Sequence, residues 1–234
     1  YYTDFIAPLF NVTAILAALD YRRRTGKGQY LDLSQLECGI HFLAPVVLDY
    51  VANQRIATRM GNRNEYAAPH GVFRCRGDHR WCAIGVFTDE EWKSFCNTIG
   101  QPPWTDDPRF ASLVARKEEE DELERLVEAW TMDHSAEEVM TIMQAAHVPA
   151  AVLQTGEDLM EKDPQLGHRH FFWELQHPEL GEYRVLAPSF SFLKTEYEVR
   201  RAPCIGEDNE YVLKRILGMS DEEIAQLVIE GVVD

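Results

Sequence analysis

The sequence predicts an α/β chain, and three observations carry that prediction. Leu9, Phe10, Val12, Ile15, Leu16 and Leu19 recur at helical spacing ahead of a "TGKGQ" break and a short "YLDL" run. Two alternating runs, "GVFRC" and "RWCAIGV", flank the turn-forming "RGDH". A hydroxyl residue also stands three places before a glutamate at the head of several apolar segments, the signature of a helix start. At 234 residues, 45% hydrophobic and 26% charged, the chain has the apolar mass for one large domain or two small ones.

Taken in order, the first helix runs from Pro8 to about Arg24, with Arg22, Arg23 and Arg24 complementing its dipole in the last turn. "YLDL" then reads as a short strand, central and parallel because helices flank it. Ser34 and Glu37 predict a second helix from near Gln35. Periodicity lapses over "RMGNRNEYAAPHG" before the hairpin, whose Arg76–Asp78 triplet reads as a tight turn rather than an adhesion motif. Thr88 with Glu91 opens a helix ending at Gly100, Pro108 starts another that "LERLVEAW" continues, and Ser135 with Glu138 precedes "VMTIMQAAH". Such boxes imply a helical cluster beside the hairpin, an α+β module over 61–153. "VPAAVL" is expected as a buried strand, 154–196 as linking strands and turns, and 197–234 as two helices, the second capped by Ser220.

The formal net charge of −16 argues against nucleic acid and anionic membranes as partners, since both draw basic clusters, and an anionic substrate would need a local basic pocket. Five cysteines without CxxC spacing fit reduced thiols and a cytoplasmic setting. The apolar stretch "HFLAPVVLDYVA", taken as the longest, is too short to cross a bilayer. No GxGxxG, Walker or GxSxG pattern occurs. His168 and His170, alternating on an expected strand with His177 downstream, could face a metal, but no acidic or cysteine partner has a diagnostic spacing, and turn or rim histidines with no metal is the expectation. The five tryptophans read as core and interface residues, and "KEEEDELE" as a solvated helix face.

Asp4, set among Tyr2, Phe5, Ile6 and Leu9, has two readings: the N-cap of the first helix, or a carboxylate kept for chemistry. A longer pattern bears on the choice. "YTDFIAPLFNVTAILAALDYRRRTGKGQYLDLSQLE", followed in order by "MGNR", "AAPHGVFRC", "HVPAAVL", "DPQLGHRHFF", "HPELG" and "IGEDNEYVLKRILGMSDEEIAQL", closely resembles the second half of family III CoA-transferases, the carnitine dehydratase and bile-acid-inducible F family. The resemblance implies a piece of a longer chain: residues 1–60 would belong to a Rossmann-like large domain, 61–153 would form a smaller α+β domain, and 197–234 would return to the large domain.

It also implies roles. Asp4 falls on the family's nucleophilic aspartate, which in a water-poor pocket would attack an acyl-CoA thioester, and Gln35 on a position near CoA. Gly61 and Asn62 precede the place where formyl-CoA transferases carry a glycine-rich lid, and here Arg63, Asn64, Glu65 and Tyr66 stand instead, so one or another of these four is expected to contact a larger or differently charged acyl group. CoA and acyl-CoA would be substrates, a carboxylic acid the acceptor, and an interlocked homodimer the assembly, with the upstream half of the family chain supplying most CoA contacts. Two alternatives stay open: proton transfer of the alpha-methylacyl-CoA racemase type, and a non-catalytic piece of such an enzyme.

Overall fold

The computed structural model describes residues 2–195 and 198–233, so the expected boundary at 196–197 lies outside the described residues. Helix α1 (Tyr2–Thr25) starts earlier than the apolar spacing predicted and takes Pro8 inside its early turns. Proline lacks an N–H, so the carbonyl of Asp4, four residues back, receives no ladder bond from it. Asp20 holds Arg23 at 2.8 Å and Arg24 at 2.9 Å, consistent with a helix-end role for that basic triplet.

The sides of α1 are apolar nearly all round, yet only Ala7 is buried, with Phe5, Leu9, Val12 and Leu16 standing in the open. It is longer than the stretch "HFLAPVVLDYVA", because Asn11 and Thr13 do not interrupt a helix. By length and composition α1 could cross a membrane, a test that the core helix of a globular protein also passes.

Helix α2 (Gln35–Phe42) packs on α1, Phe10 meeting the Phe42 ring edge-on at 5.8 Å. Ser34 caps α2 by accepting the Glu37 N–H at 3.3 Å. Helix α3 (Ala44–Asn53) follows after Leu43. Between α1 and α2, "YLDL" is not a strand: residues 27–34 run as irregular backbone, with Tyr30 exposed. A ladder needs a neighbour, and no described strand lies beside it.

The hairpin forms as predicted. Strands β1 (His70–Arg74) and β2 (Trp81–Gly85) pair antiparallel, His70 opposite Gly85 and Arg74 opposite Trp81, and β3 (Ala150–Val152) adds to the far side of β2. The "VPAAVL" strand is thus a short edge with Ala151 exposed, not a buried strand. Arg76 turns back to the carbonyl of Asp133 and to Glu138, which makes the RGD triplet part of a structural turn.

Four helices cover one face of the sheet: α4 (Asp89–Thr98), α5 (Leu113–Glu118), α6 (Glu120–Thr131) and α7 (Ala136–Ala145). Complete capping boxes at Thr88 and Ser135 open α4 and α7, while Pro108 starts a single 3-10 turn. Phe73, Ile84, Phe95, Phe110, Leu123, Val127 and Met143 meet in one core, each side chain adding about 1.5–3 kcal/mol by leaving water. Arg116 is buried inside it, its guanidinium 4.5 Å over the Trp92 ring and its Nε donating to the Ala68 carbonyl at 2.8 Å. The acidic run is not simply a solvated face: it spans the α5–α6 junction, and Glu120 is buried against Lys117 at 2.6 Å.

Downstream lie α8 (Pro164–His168), the hairpin β4 (Phe172–His177) with β5 (Gly181–Leu186), and α9 (Asp221–Ile229) under a complete Ser220 box. The first of the two expected closing helices is a π-helical turn, Tyr211–Ile216. His168 ends α8 and His170 has a left-handed backbone, φ 48°, so the two do not alternate on a strand toward one ion. No group of three or more His, Cys, Asp or Glu side chains among the described residues could hold a metal. All five cysteines are free thiols.

Candidate active site

Asp4 lies in the first turn of α1 rather than ahead of it, which removes its N-cap reading. Gln35 opens α2, placed by the Ser34 cap one residue before it. The two side chains, on separate helices and thirty-one residues apart, meet: Gln35 Nε2 donates to Asp4 Oδ1 at 3.4 Å, a long and weak hydrogen bond. Gly39 permits the approach, since a Cβ on it would lie 3.0 Å from the Thr3 methyl, and Thr3 is the residue before Asp4. A glutamine amide orients a carboxylate without giving it a proton, leaving Oδ2 to act as a nucleophile or base.

The expected water-poor pocket around Asp4 is absent from this chain taken alone. Asp4 and Gln35 are exposed, and the neighbouring Phe5 and Leu9 are 75% and 59% exposed. Apolar shelter of a carboxylate needs side chains from outside its own helix, and α2 supplies only one side of it.

The loop Gly61–Tyr66 is built differently from a flexible lid. Asn64 bridges to Ala67, its Oδ1 accepts the Tyr66 N–H at 2.8 Å, and its carbonyl accepts from Lys117 Nζ at 2.9 Å. Arg63 turns away from open solvent: Nε and Nη2 donate to the two carboxylate oxygens of Glu124 at 2.9 and 2.7 Å, and Nη2 also contacts Asp121. Those carboxylates push the guanidinium pKa further up, hydrogen bonding to Glu124 being the largest cause. The charge of Arg63 is thus matched by α6, while its side chain keeps 34% exposure. Glu65 lies 3.6 Å from Arg55 across a looser ion pair, and Tyr66 is 69% exposed.

Two clefts border this loop. One, of about 770 Å³, lies between Gly61–Arg63, β1 and the Asp121–Met132 side of α6; the other, of about 690 Å³, opens over the uncovered face of the sheet beside His70, Ala83, Gly85 and Phe87. Neither is lined by Asp4 or Gln35, so the chain joins those two residues but gives the loop clefts of its own. The loop's anchors, Lys117, Glu120 and Glu124, went unrecognised in the sequence. Glu120 and Glu124, four residues apart, share one face of α6, and Lys117 lies in the last turn of α5 just before it, but the spacing does not say what that face meets.

The family model for CoA-transferase family III matches residues 1–209. The chain belongs to this family. A relative from Mycobacterium tuberculosis named "Probable CoA-transferase" is 30% identical over 99% of the chain and 29% of its own length. The succinyl-CoA–D-citramalate CoA-transferase of Chloroflexus aurantiacus is 28% identical over 98% of the chain and 57% of its own length. In structure, the chain is similar to a CaiB/BaiF family protein from Brucella suis, with a TM-score of 0.80 and 25% identity over 92% of the chain and 55% of that one. The chain thus spans roughly half or less of the length of these family members, and its fold is the family's mixed α/β fold.

Proposed function

We propose that the chain supplies the nucleophile of a CoA-transferase, Asp4, which moves CoA from an acyl-CoA thioester to a free carboxylic acid. Membership of CoA-transferase family III supports the reaction class. The observation that carries the residue assignment is the meeting of Asp4 with Gln35 at 3.4 Å, since it ties the aspartate to the position expected near CoA.

In this reading the Asp4 carboxylate attacks the thioester carbonyl, the C–S bond breaks, and an aspartyl mixed anhydride forms with release of CoA thiolate. That thiolate attacks the aspartyl carbonyl, expelling the donor acid as its carboxylate and leaving an aspartyl-CoA thioester. The acceptor carboxylate repeats the sequence in reverse, and Asp4 is regenerated. Each step exchanges one activated acyl bond for another, so the thioester's free energy is kept from water provided the site is dry. Holding the thiolate beside the anhydride supplies the effective concentration that free CoA lacks. Gln35 would fix the carboxylate and lie against the CoA.

The dry walls must come from outside these helices. A homodimer in which a second copy and the remaining length of a family chain cover α1 fits its uncovered apolar sides, and the donor and acceptor acids would enter beside the loop Gly61–Tyr66. A reducing, cytoplasmic setting suits five free thiols.

The test uses the complete protein with Asp4→Asn. Turnover is expected to fall by several orders of magnitude, and hydroxylamine added to the parent during turnover should attack the activated aspartyl carbonyl, expel CoA thiolate or the acid, and leave an Asp4 hydroxamate that mass spectrometry detects. An Asp4→Asn variant that transfers CoA at the parent rate defeats the proposal.

A further inference from the structure

The loop after Gly61 carries no glycine run, and the way it is fastened says what replaced one. Two of its carbonyl oxygens, and that of Ala68 just beyond it, are each taken by a side chain from elsewhere: Asn62 by His70 Nδ1 at 2.6 Å, Asn64 by Lys117 Nζ at 2.9 Å, and Ala68 by Arg116 Nε at 2.8 Å. Carbonyls that would pair with a sheet or with water are here bound to fixed donors on β1 and α5. Arg63 adds the strongest tie. Its two parallel bonds to Glu124 form a charge-assisted fork, whose planar match of guanidinium and carboxylate is both stronger and more directional than a single contact.

The energy of this fastening is unevenly placed. The Asp121 side chain is 91% exposed and its contact with Arg63 counts for little against water. Glu124 is 29% exposed and Glu120, which accepts from Lys117 and lies 3.6 Å from Arg63, only 7%. Lifting the loop would therefore strip the partly buried Glu124 of its cation and break the Lys117 bond to the Asn64 carbonyl, a cost that a glycine lid never meets.

Taking the loop as the acid-side wall of the transferase proposed above, we propose that Arg63 and Lys117 are positioning residues that latch it to α5 and α6. It then serves as a fixed wall that selects the acid, with Tyr66 presented to the acyl group, and not as a lid that swings in each turnover. The fork ties the loop's own cation to α6, and the Tyr66 ring and the Glu65 carboxylate stand exposed beside it.

The complete protein tests this with Glu124→Gln, which keeps the shape of the α6 side chain but removes its charge, and with the exchanged pair Arg63→Glu/Glu124→Arg. Amide hydrogen exchange over 61–66 should quicken about tenfold in Glu124→Gln, the loss expected for one charge-assisted bond, while the β1–β2 ladder keeps its rates. The exchanged pair should return most of that protection. In Glu124→Gln the ratio of kcat/KM between a short and a long acceptor acid should shift about tenfold, through KM rather than kcat. Parent-like exchange in Glu124→Gln, or an exchanged pair that recovers nothing, overturns the latch. Faster exchange with an unaltered acid ratio overturns its part in selecting the acid. If the parent transfers no CoA at all, the reading of the reaction fails, and the exchange data still decide whether the latch exists.

Discussion

Gly39 is the position where a single methyl group tests whether the approach of α1 and α2 sets the site. A Cβ there would stand 3.0 Å from the Thr3 Cγ2, tighter than ordinary van der Waals contact, and Thr3 immediately precedes Asp4. Gly39→Ala gains about 0.5–1 kcal/mol in helix propensity, because alanine loses less backbone entropy in α2. The clash works against that gain, overpacking of a fitted contact typically costing about 1–3 kcal/mol. Net destabilisation of about 0–2.5 kcal/mol follows. The larger effect should fall on chemistry, since relief by a few tenths of an ångström lengthens a Gln35–Asp4 contact that already measures 3.4 Å. Urea unfolding of the complete protein reads the first quantity, and single-turnover formation of the enzyme–CoA thioester reads the second. Thr3→Ser removes the obstructing methyl and keeps the hydroxyl, so the double variant should regain both stability and rate. A Gly39→Ala protein as fast as its parent, or a double variant no faster than the single one, would refute the geometric argument.

Two further outcomes can be measured in the same material. Glu207 accepts from Arg201 and from the Cys204 N–H, which hold its carboxyl down from an ordinary 4.5 to about 2. A depressed folded-state pKa stabilises above the unfolded value, so the stability gap between parent and Glu207→Gln should be full above pH 4.5 and close as pH falls toward 2, followed by denaturant midpoints across that range. Phe95→Ala empties a fully buried position between Trp92 and the sheet, and should cost about 3–5 kcal/mol in denaturant unfolding of the complete protein.

What could be read ahead of the structure was whatever short-range chemistry decides. The Thr88, Ser135 and Ser220 boxes formed where their spacing placed them because each closes within four residues. The β1–β2 hairpin was equally legible, as its turn and alternation lie within one contiguous segment. "YLDL" failed because a strand exists only beside another strand, and its own composition says nothing of whether one is there. The acidic run failed for a related reason: the charge of Glu120 and Glu124 was plain, but their cations, Lys117 and Arg63, become partners only after α6 turns one face to the loop. At the candidate site, Asp4 and Gln35 were named from resemblance, and their contact needed the bare surface of Gly39. The dry enclosure could not follow from neighbouring letters, since the apolar letters beside Asp4 wrap around α1 and leave its carboxylate open.

The buried Arg116 gives the helical interior a handle on the end of the Gly61–Tyr66 loop. Its guanidinium rests on the Trp92 ring while its Nε grips the carbonyl of Ala68, just past Tyr66. Repacking around that tryptophan would tilt the charged plane and carry the downstream end of the loop with it. If the loop walls the acid site as proposed, preference among acids can be retuned by changing residues that no acid ever touches.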